Sequence, residues 1–313
     1  MTSEQELPHE PERIVAVGRG IELCVETIGD PSAEPLLLVS GLSQQMHAWP
    51  LELCRQLAAR GLFVIRFDNR DVGRSTHLRD VKPPSPLQLA TRRFSARQYA
   101  LGAMALDTSG LLDALGLESA HVAGRSMGGM IGQTLAARQP DRVRSLTSIM
   151  SMTGARRSGR PALSTWRLMT TPPAKTREKS IEKAVVLWRH IGSHGFPFDE
   201  EQVRADAGLA FDRGHDPAGV ARQLAAIMKS GDRTREVATI AAPTLVIHGD
   251  RDMMVAPSGG RATANAIPGA RHETIRGMGH DLPVGAWPRL VELIAGHVEA
   301  ASGAREDAAS AAA

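Results

Sequence analysis

One serine in this 313-residue chain stands where a nucleophile would be placed. Gly124-Arg125-Ser126-Met127-Gly128 follows the short apolar run His121-Val122-Ala123 and precedes a helix-like pattern of Met127, Met130, Ile131 and Leu135. Strand, sharp turn and helix would hold the Ser126 hydroxyl at the carboxyl edge of a parallel sheet, beside the positive end of a helix. So tight a turn strains the serine backbone, and Gly124 and Gly128 lack the side chains that would clash. The same spacing also occurs in glycine-rich turns without chemistry, so partners must be sought elsewhere. An activated serine needs a base to take its proton and an acid to orient that base. His248-Gly249-Asp250-Arg251-Asp252 offers two carboxylates just past one strand, and Gly277-Met278-Gly279-His280 offers an imidazole just past another.

The elements that must bring these groups together alternate. Apolar runs at residues 14–17 and 21–26 flank Gly18-Arg19-Gly20 and read as a hairpin. Leu36-Leu37-Leu38-Val39 and Phe63-Val64-Ile65-Arg66-Phe67 read as strands, separated by a helical pattern over 48–59. A long amphipathic helix is expected over 96–115, before the nucleophile strand. Further strands are expected at 143–150, 242–248 and 271–275, with a closing helix over 286–299. Strands alternating with helices predict a largely parallel α/β sheet whose loops leave from one edge. Residues 153–238 hold no strand-like run and read as helices, one of them opened by Asp199 with Gln202 three residues on. The expected organisation is a core of residues 1–152 and 239–300, a helical cap of 153–238, and a disordered alanine-rich tail of 301–313. In the loop 68–75, the dense charges read as internal ion pairs that fix the loop, with contact to a ligand the alternative.

Composition narrows the function. The formal charge is +3, yet only five of the 37 basic residues are lysines and the arginines are scattered, so no nucleic-acid footprint is read. Cys24 and Cys54 have no metal-type spacing and suit a reduced, cytoplasmic chain. Residues 1–13 are polar and do not read as a secretory signal, and no window is apolar enough to span a bilayer.

Several segments together resemble one family over nearly the whole chain. They are Phe67-Asp68-Asn69-Arg70-Asp71-Val72-Gly73-Arg74-Ser75, the elbow Gly124-Arg125-Ser126-Met127-Gly128-Gly129, Val246-Ile247-His248-Gly249 with Asp252, and Gly277-Met278-Gly279-His280-Asp281-Leu282-Pro283. The sequence is similar to α/β-hydrolases of the bacterial carboxylesterase and lipase group that includes the anthracycline (aclacinomycin-type) methylesterases. That resemblance implies a serine hydrolase cleaving carboxylic esters through an acyl-enzyme, with a small-molecule ester as substrate and no metal or cofactor. It implies Ser126 as nucleophile and His280 as base, and it selects Asp252 over Asp250 as the acid. The oxyanion donors would be the backbone N–H groups of Met127 and Leu42. Two departures from the family pattern stand out: Ser40-Gly41 replaces the commoner His-Gly, and Arg125 occupies a position usually small or uncharged. Arg125, His47 and Trp188 are candidate substrate contacts; the alternatives are carboxylate pairing for Arg125, capping or packing for His47, and cap core for Trp188. C–C bond hydrolysis and cofactor-free perhydrolysis are other chemistries of this fold. A non-catalytic binding role is opposed by the presence of all three triad residue types. Oligomeric state is not legible.

Overall fold

The computed structural model describes residues 7–312, so residues 1–6 of the expected N-terminal stretch lie outside it. Among the described residues eight strands form one sheet: β1 (His9–Ala16), β2 (Glu22–Ile28), β3 (Glu34–Val39), β4 (Leu62–Phe67), β5 (Ala120–Arg125), β6 (Val143–Ile149), β7 (Thr244–Gly249) and β8 (Arg271–Ile275). Their spatial order is β1-β2-β4-β3-β5-β6-β7-β8. The β1–β2 and β2–β4 pairs are antiparallel and the rest parallel. The expected hairpin joins β1 to β2, with Gly18, Arg19 and Gly20 all at positive φ. β4 lies on one side of β3 and β5 on the other, so strand order reverses there, the place where open α/β sheets bind ligands at their strands' carboxyl ends.

Side chains alternate between two apolar layers. Leu37, Val39 and Val122 face α3 (Leu101–Ala114) and α4 (Met127–Arg138) through Met104, Leu111, Met130 and Ile131. Leu36, Leu38 and Ala123 face α1 (Leu51–Ala58) and α11 (Trp287–Ala312) through Leu53, Leu57, Leu290 and Ile294. Each fully buried leucine contributes about 1.5–3 kcal/mol by leaving water, which explains why the central strands are apolar on both faces. α2 (Pro86–Thr91) precedes α3, and α10 (Ser258–Ala266) packs beside β7.

Between β6 and β7 come α5 (Leu163–Met169), α6 (Arg177–Ile191), α7 (Glu200–Arg213), α8 (Pro217–Ser230) and α9 (Thr234–Val237). Asp199 caps α7 as its spacing predicts, accepting the Gln202 N–H at 2.9 Å. These helices bond to the loops at the carboxyl edge of the sheet. Gln45 Nε2 donates to the Ala210 carbonyl at 2.7 Å, Arg213 pairs with Asp68 at 3.0 Å, and the His280 N–H donates to the Ile191 carbonyl at 2.8 Å.

The elements depart from the sequence reading in several places, the first being β1, which begins at His9 where the strand was expected from residue 14. The helix expected from residue 96 begins at Leu101, because Tyr99 is used in the loop, its hydroxyl donating to Asp71 at 2.8 Å. α2 was not anticipated; its signals are Ser85 in a capping box with Gln88, plus an N-terminal proline. The alanine-rich stretch from residue 301 continues α11 to Ala312, as the high helix propensity of alanine favours. Among the described residues no helix is long and apolar enough to cross a membrane.

Candidate active site

Ser126 ends β5 and heads α4, with φ +53° and ψ −121°. This strained conformation is held from both sides. Its N–H donates to the Ile149 carbonyl at 2.9 Å, and its carbonyl accepts from Ser151 Oγ at 2.7 Å and from the Met130 N–H at 3.2 Å. The flanking glycines are required sterically: a Cβ on Gly124 would strike the Gly128 carbonyl, and one on Gly128 would strike the Val39 carbonyl. Close approach of α4 to β3 thus puts the turn after β3 against the nucleophile position. A Cβ built on Gly41 would lie only 3.3 Å from the Ser126 Cβ.

His280 arrives from the loop after β8, and its Nε2 lies 3.0 Å from Ser126 Oγ. Its Nδ1 lies 2.8 Å from Asp252 Oδ2, in the loop after β7. The other carboxylate oxygen, Asp252 Oδ1, accepts the N–H groups of Met254 and Val255 at 2.8 and 2.9 Å. One hydroxyl, one imidazole and one carboxylate therefore form a continuous hydrogen-bonded line. Burial raises the Asp252 pKa, but the charge of His280 and hydrogen bonds from His248 and His280 outweigh it and hold the carboxyl below its usual range. The backbone supports His280 as well: Ser193 Oγ accepts the Gly279 N–H at 2.8 Å and also bonds Asp281. Asp250, the rival acid, accepts the Gly277 N–H at 2.6 Å and makes no bond to His280.

The remaining candidates separate. Among the described residues, neither the Leu42 nor the Met127 N–H donates an internal hydrogen bond; Met127 directly follows Ser126, and Leu42 follows Gly41, where a Cβ would lie against the Ser126 Cβ. Arg125 is buried, and its guanidinium donates to the Ala48 carbonyl at 2.5 Å and the His280 carbonyl at 3.4 Å. It therefore ties two loops of the site together through carbonyls, where the sequence suggested a carboxylate or a substrate group. Burial lowers its pKa to about 10, so it stays a cation at neutral pH, with the Asp281 and Asp252 charges opposing the shift. His47 Nε2 faces Glu12 Oε1 at 3.5 Å. Trp188 is half-buried on α6, four residues before the Gly192 N–H that closes that helix on its carbonyl.

Sequence reasoning missed Gln223, which reaches the turn after β3 from α8, and His248, whose ring lies 3.4 Å from Asp252. No local spacing signals the first; the second adjoins the acid loop and was visible there. The loop 68–75 is not fixed by the internal ion pairs expected of it: Asp68 accepts the N–H groups of Met46 and Arg74 at 2.7 and 3.0 Å, while Arg70 pairs with Asp107, Arg74 with Glu12 and Asp71 with Arg222. Asp71, His77 and Asp216 are metal-ligand types within reach of one another, but Arg222 Nη2 already bridges the carboxylates at 2.6 and 3.2 Å. A cation of the chain itself thus already sits between the two carboxylates.

The chain is similar to known hydrolases over most of its length. The rhodomycin D methylesterase DauP of Streptomyces sp. (strain C5) is 33% identical over 305 residues, spanning 90% of this chain and 96% of that protein. The rhodomycin D methylesterase DnrP of Streptomyces peucetius is 32% identical over the same shares of each chain. The solved enol-lactonase from Burkholderia xenovorans LB400 shares the fold, with a TM-score of 0.71 at 24% identity over 91% of this chain and 99% of that one. The profile of the family described as alpha/beta hydrolase fold matches residues 34–284, and the chain belongs to that family.

Proposed function

We propose that the protein is a carboxylic-ester hydrolase acting through Ser126, His280 and Asp252. The observation that carries this reading is the line of 3.0 and 2.8 Å contacts from hydroxyl to imidazole to carboxylate. His280 Nε2 takes the Ser126 proton as Oγ attacks the ester carbonyl. The Leu42 and Met127 N–H groups stabilise the oxyanion that develops on the carbonyl oxygen. As the tetrahedral intermediate collapses, the C–O bond breaks and the alcohol leaves with the proton from His280. Water then repeats the sequence on the acyl-enzyme, releasing the acid and restoring Ser126. Asp252, ionised and accepting from Nδ1, keeps the free Nε2 pointed at Ser126 and stabilises the imidazolium.

Two relatives bear the name rhodomycin D methylesterase, which supports a small-molecule methyl ester as substrate. Residues 153–238 act as a cap, because their helices bond to the loops that carry the site. The buried free thiols of Cys24 and Cys54 support a reducing compartment, the cytoplasm. Steady-state hydrolysis of p-nitrophenyl acetate tests the proposal. Ser126→Ala and His280→Ala should each lose on the order of 10³- to 10⁶-fold in kcat. Wild-type rates in either variant end it.

A further inference from the structure

Both peptides that flank the Leu42 N–H are held by side-chain amides. Gln44 Oε1 accepts the Gly41 N–H at 3.1 Å from within the turn. On the other side, Gln223 Oε1 accepts the Ser43 N–H at 3.0 Å, across 180 residues of sequence. Ser43 has φ +62°, a left-handed conformation that penalises any residue with a Cβ and persists only where the surroundings impose it. Gln223 is fully buried and uses both ends of its amide, its Nε2 donating to the Arg70 carbonyl at 2.7 Å. The helix that carries it is clamped to the same core loop. Neighbouring Arg222 donates to both oxygens of Asp71 at 2.6 and 3.0 Å and to the Val81 carbonyl at 3.2 Å.

We infer that Gln223 is a positioning residue for ester hydrolysis, fixing from α8 the turn that presents the Leu42 N–H to the oxyanion. The inference rests on the reading of Ser126 and Leu42 proposed above. A backbone donor stabilises a developing oxyanion only while its peptide keeps one orientation, and hydrogen bonds weaken steeply once misaligned. Gln44 secures one neighbouring peptide locally, whereas the other depends on a helix of the insertion. The seat of α8 and the aim of the donor are therefore one mechanical unit. Ground-state binding does not use the oxyanion, so loosening this contact falls on kcat and leaves KM nearly unchanged.

The test compares Gln223→Met, of similar length without the amide, with Gln223→Glu, which retains an acceptor for the Ser43 N–H. Readouts are kcat and KM for p-nitrophenyl acetate and the inhibition constant of a trifluoromethyl ketone, whose adduct with serine mimics the tetrahedral oxyanion. Gln223→Met should lower kcat about 10- to 100-fold. It should weaken the ketone by a similar factor and leave KM within about threefold. Gln223→Glu should keep more of the activity than Gln223→Met. If Gln223→Met fails to fold, Gln223→Asn, too short to reach Ser43, makes the same comparison. A folded variant with wild-type kcat and ketone affinity, or a loss confined to KM, overturns the inference. Full activity in Ser126→Ala would remove the reading beneath it, whereas an inactive Ser126→Ala beside a fully active Gln223→Met removes this inference alone.

Discussion

At the scale of single residues, Asp252 shows how the site is poised. Its Oδ1 is satisfied by two backbone N–H groups, so Oδ2 is left to orient His280. Asp252→Asn would donate where it should accept and turn the imidazole to the wrong tautomer; kcat should fall about 10⁴-fold with the fold intact. Ester turnover by the purified variant checks this. The depressed pKa of Asp252 also sets a sign for stability. A carboxyl whose pKa is lowered by folding stabilises the folded chain above its unfolded pKa of about 3.9. That contribution is lost as pH falls from there through the folded value. The part of the melting-temperature gap between wild type and Asp252→Asn that comes from the ionised carboxylate should therefore be lost only below about pH 4. A gap already closed at pH 5 contradicts this assignment. Of these residues, Ser126 was legible because its flanking glycines are a local steric requirement. Asp252 was separated from Asp250 only by family resemblance, since both lie in one short loop and only their contacts differ.

At the scale of elements, the turn at Ser126 is a strand and a helix brought too close for any side chain between them. Gly128→Ala would drive a Cβ into the Val39 carbonyl at the end of β3. Urea unfolding should show a loss of about 2 kcal/mol or more, and serine labelling should fall with it. A variant as stable and as reactive as wild type would show that β3 and α4 yield at that contact. The parallel strands were readable because burial on both faces leaves continuous apolar runs such as Leu36-Leu37-Leu38-Val39. Helix ends were less so. Tyr99 looks helical by spacing, but its bond to Asp71 draws it into the loop before α3, a tertiary contact that no periodicity contains.

At the scale of the whole molecule, the insertion is joined to the core by buried charge. Arg222 and Asp71 are both nearly inaccessible and bond through two contacts. Arg222→Met should destabilise by about 3–5 kcal/mol, because it strands the Asp71 carboxylate. Arg222→Met with Asp71→Asn, which removes the charge but keeps an amide oxygen for the Tyr99 hydroxyl or the Leu78 N–H, should recover part of that loss in the same unfolding measurement. Equal stabilities for the single and double variants would mean that the charge is not what the helix leaves behind. The insertion was legible as a strand-free block of residues 153–238, but its grip on the site was not. Gln223, Arg222 and Arg213 reach partners more than a hundred residues away in sequence.

The measurement that bears most directly on Ser126 is covalent labelling by a fluorophosphonate ester, followed by intact mass and peptide mapping. One adduct per chain on Ser126, formed in parallel with loss of esterase activity and absent in Ser126→Ala and His280→Ala, is the predicted result. Ester hydrolysis that persists in a fully labelled chain, or an adduct on another residue with Ser126 unmodified, would contradict it.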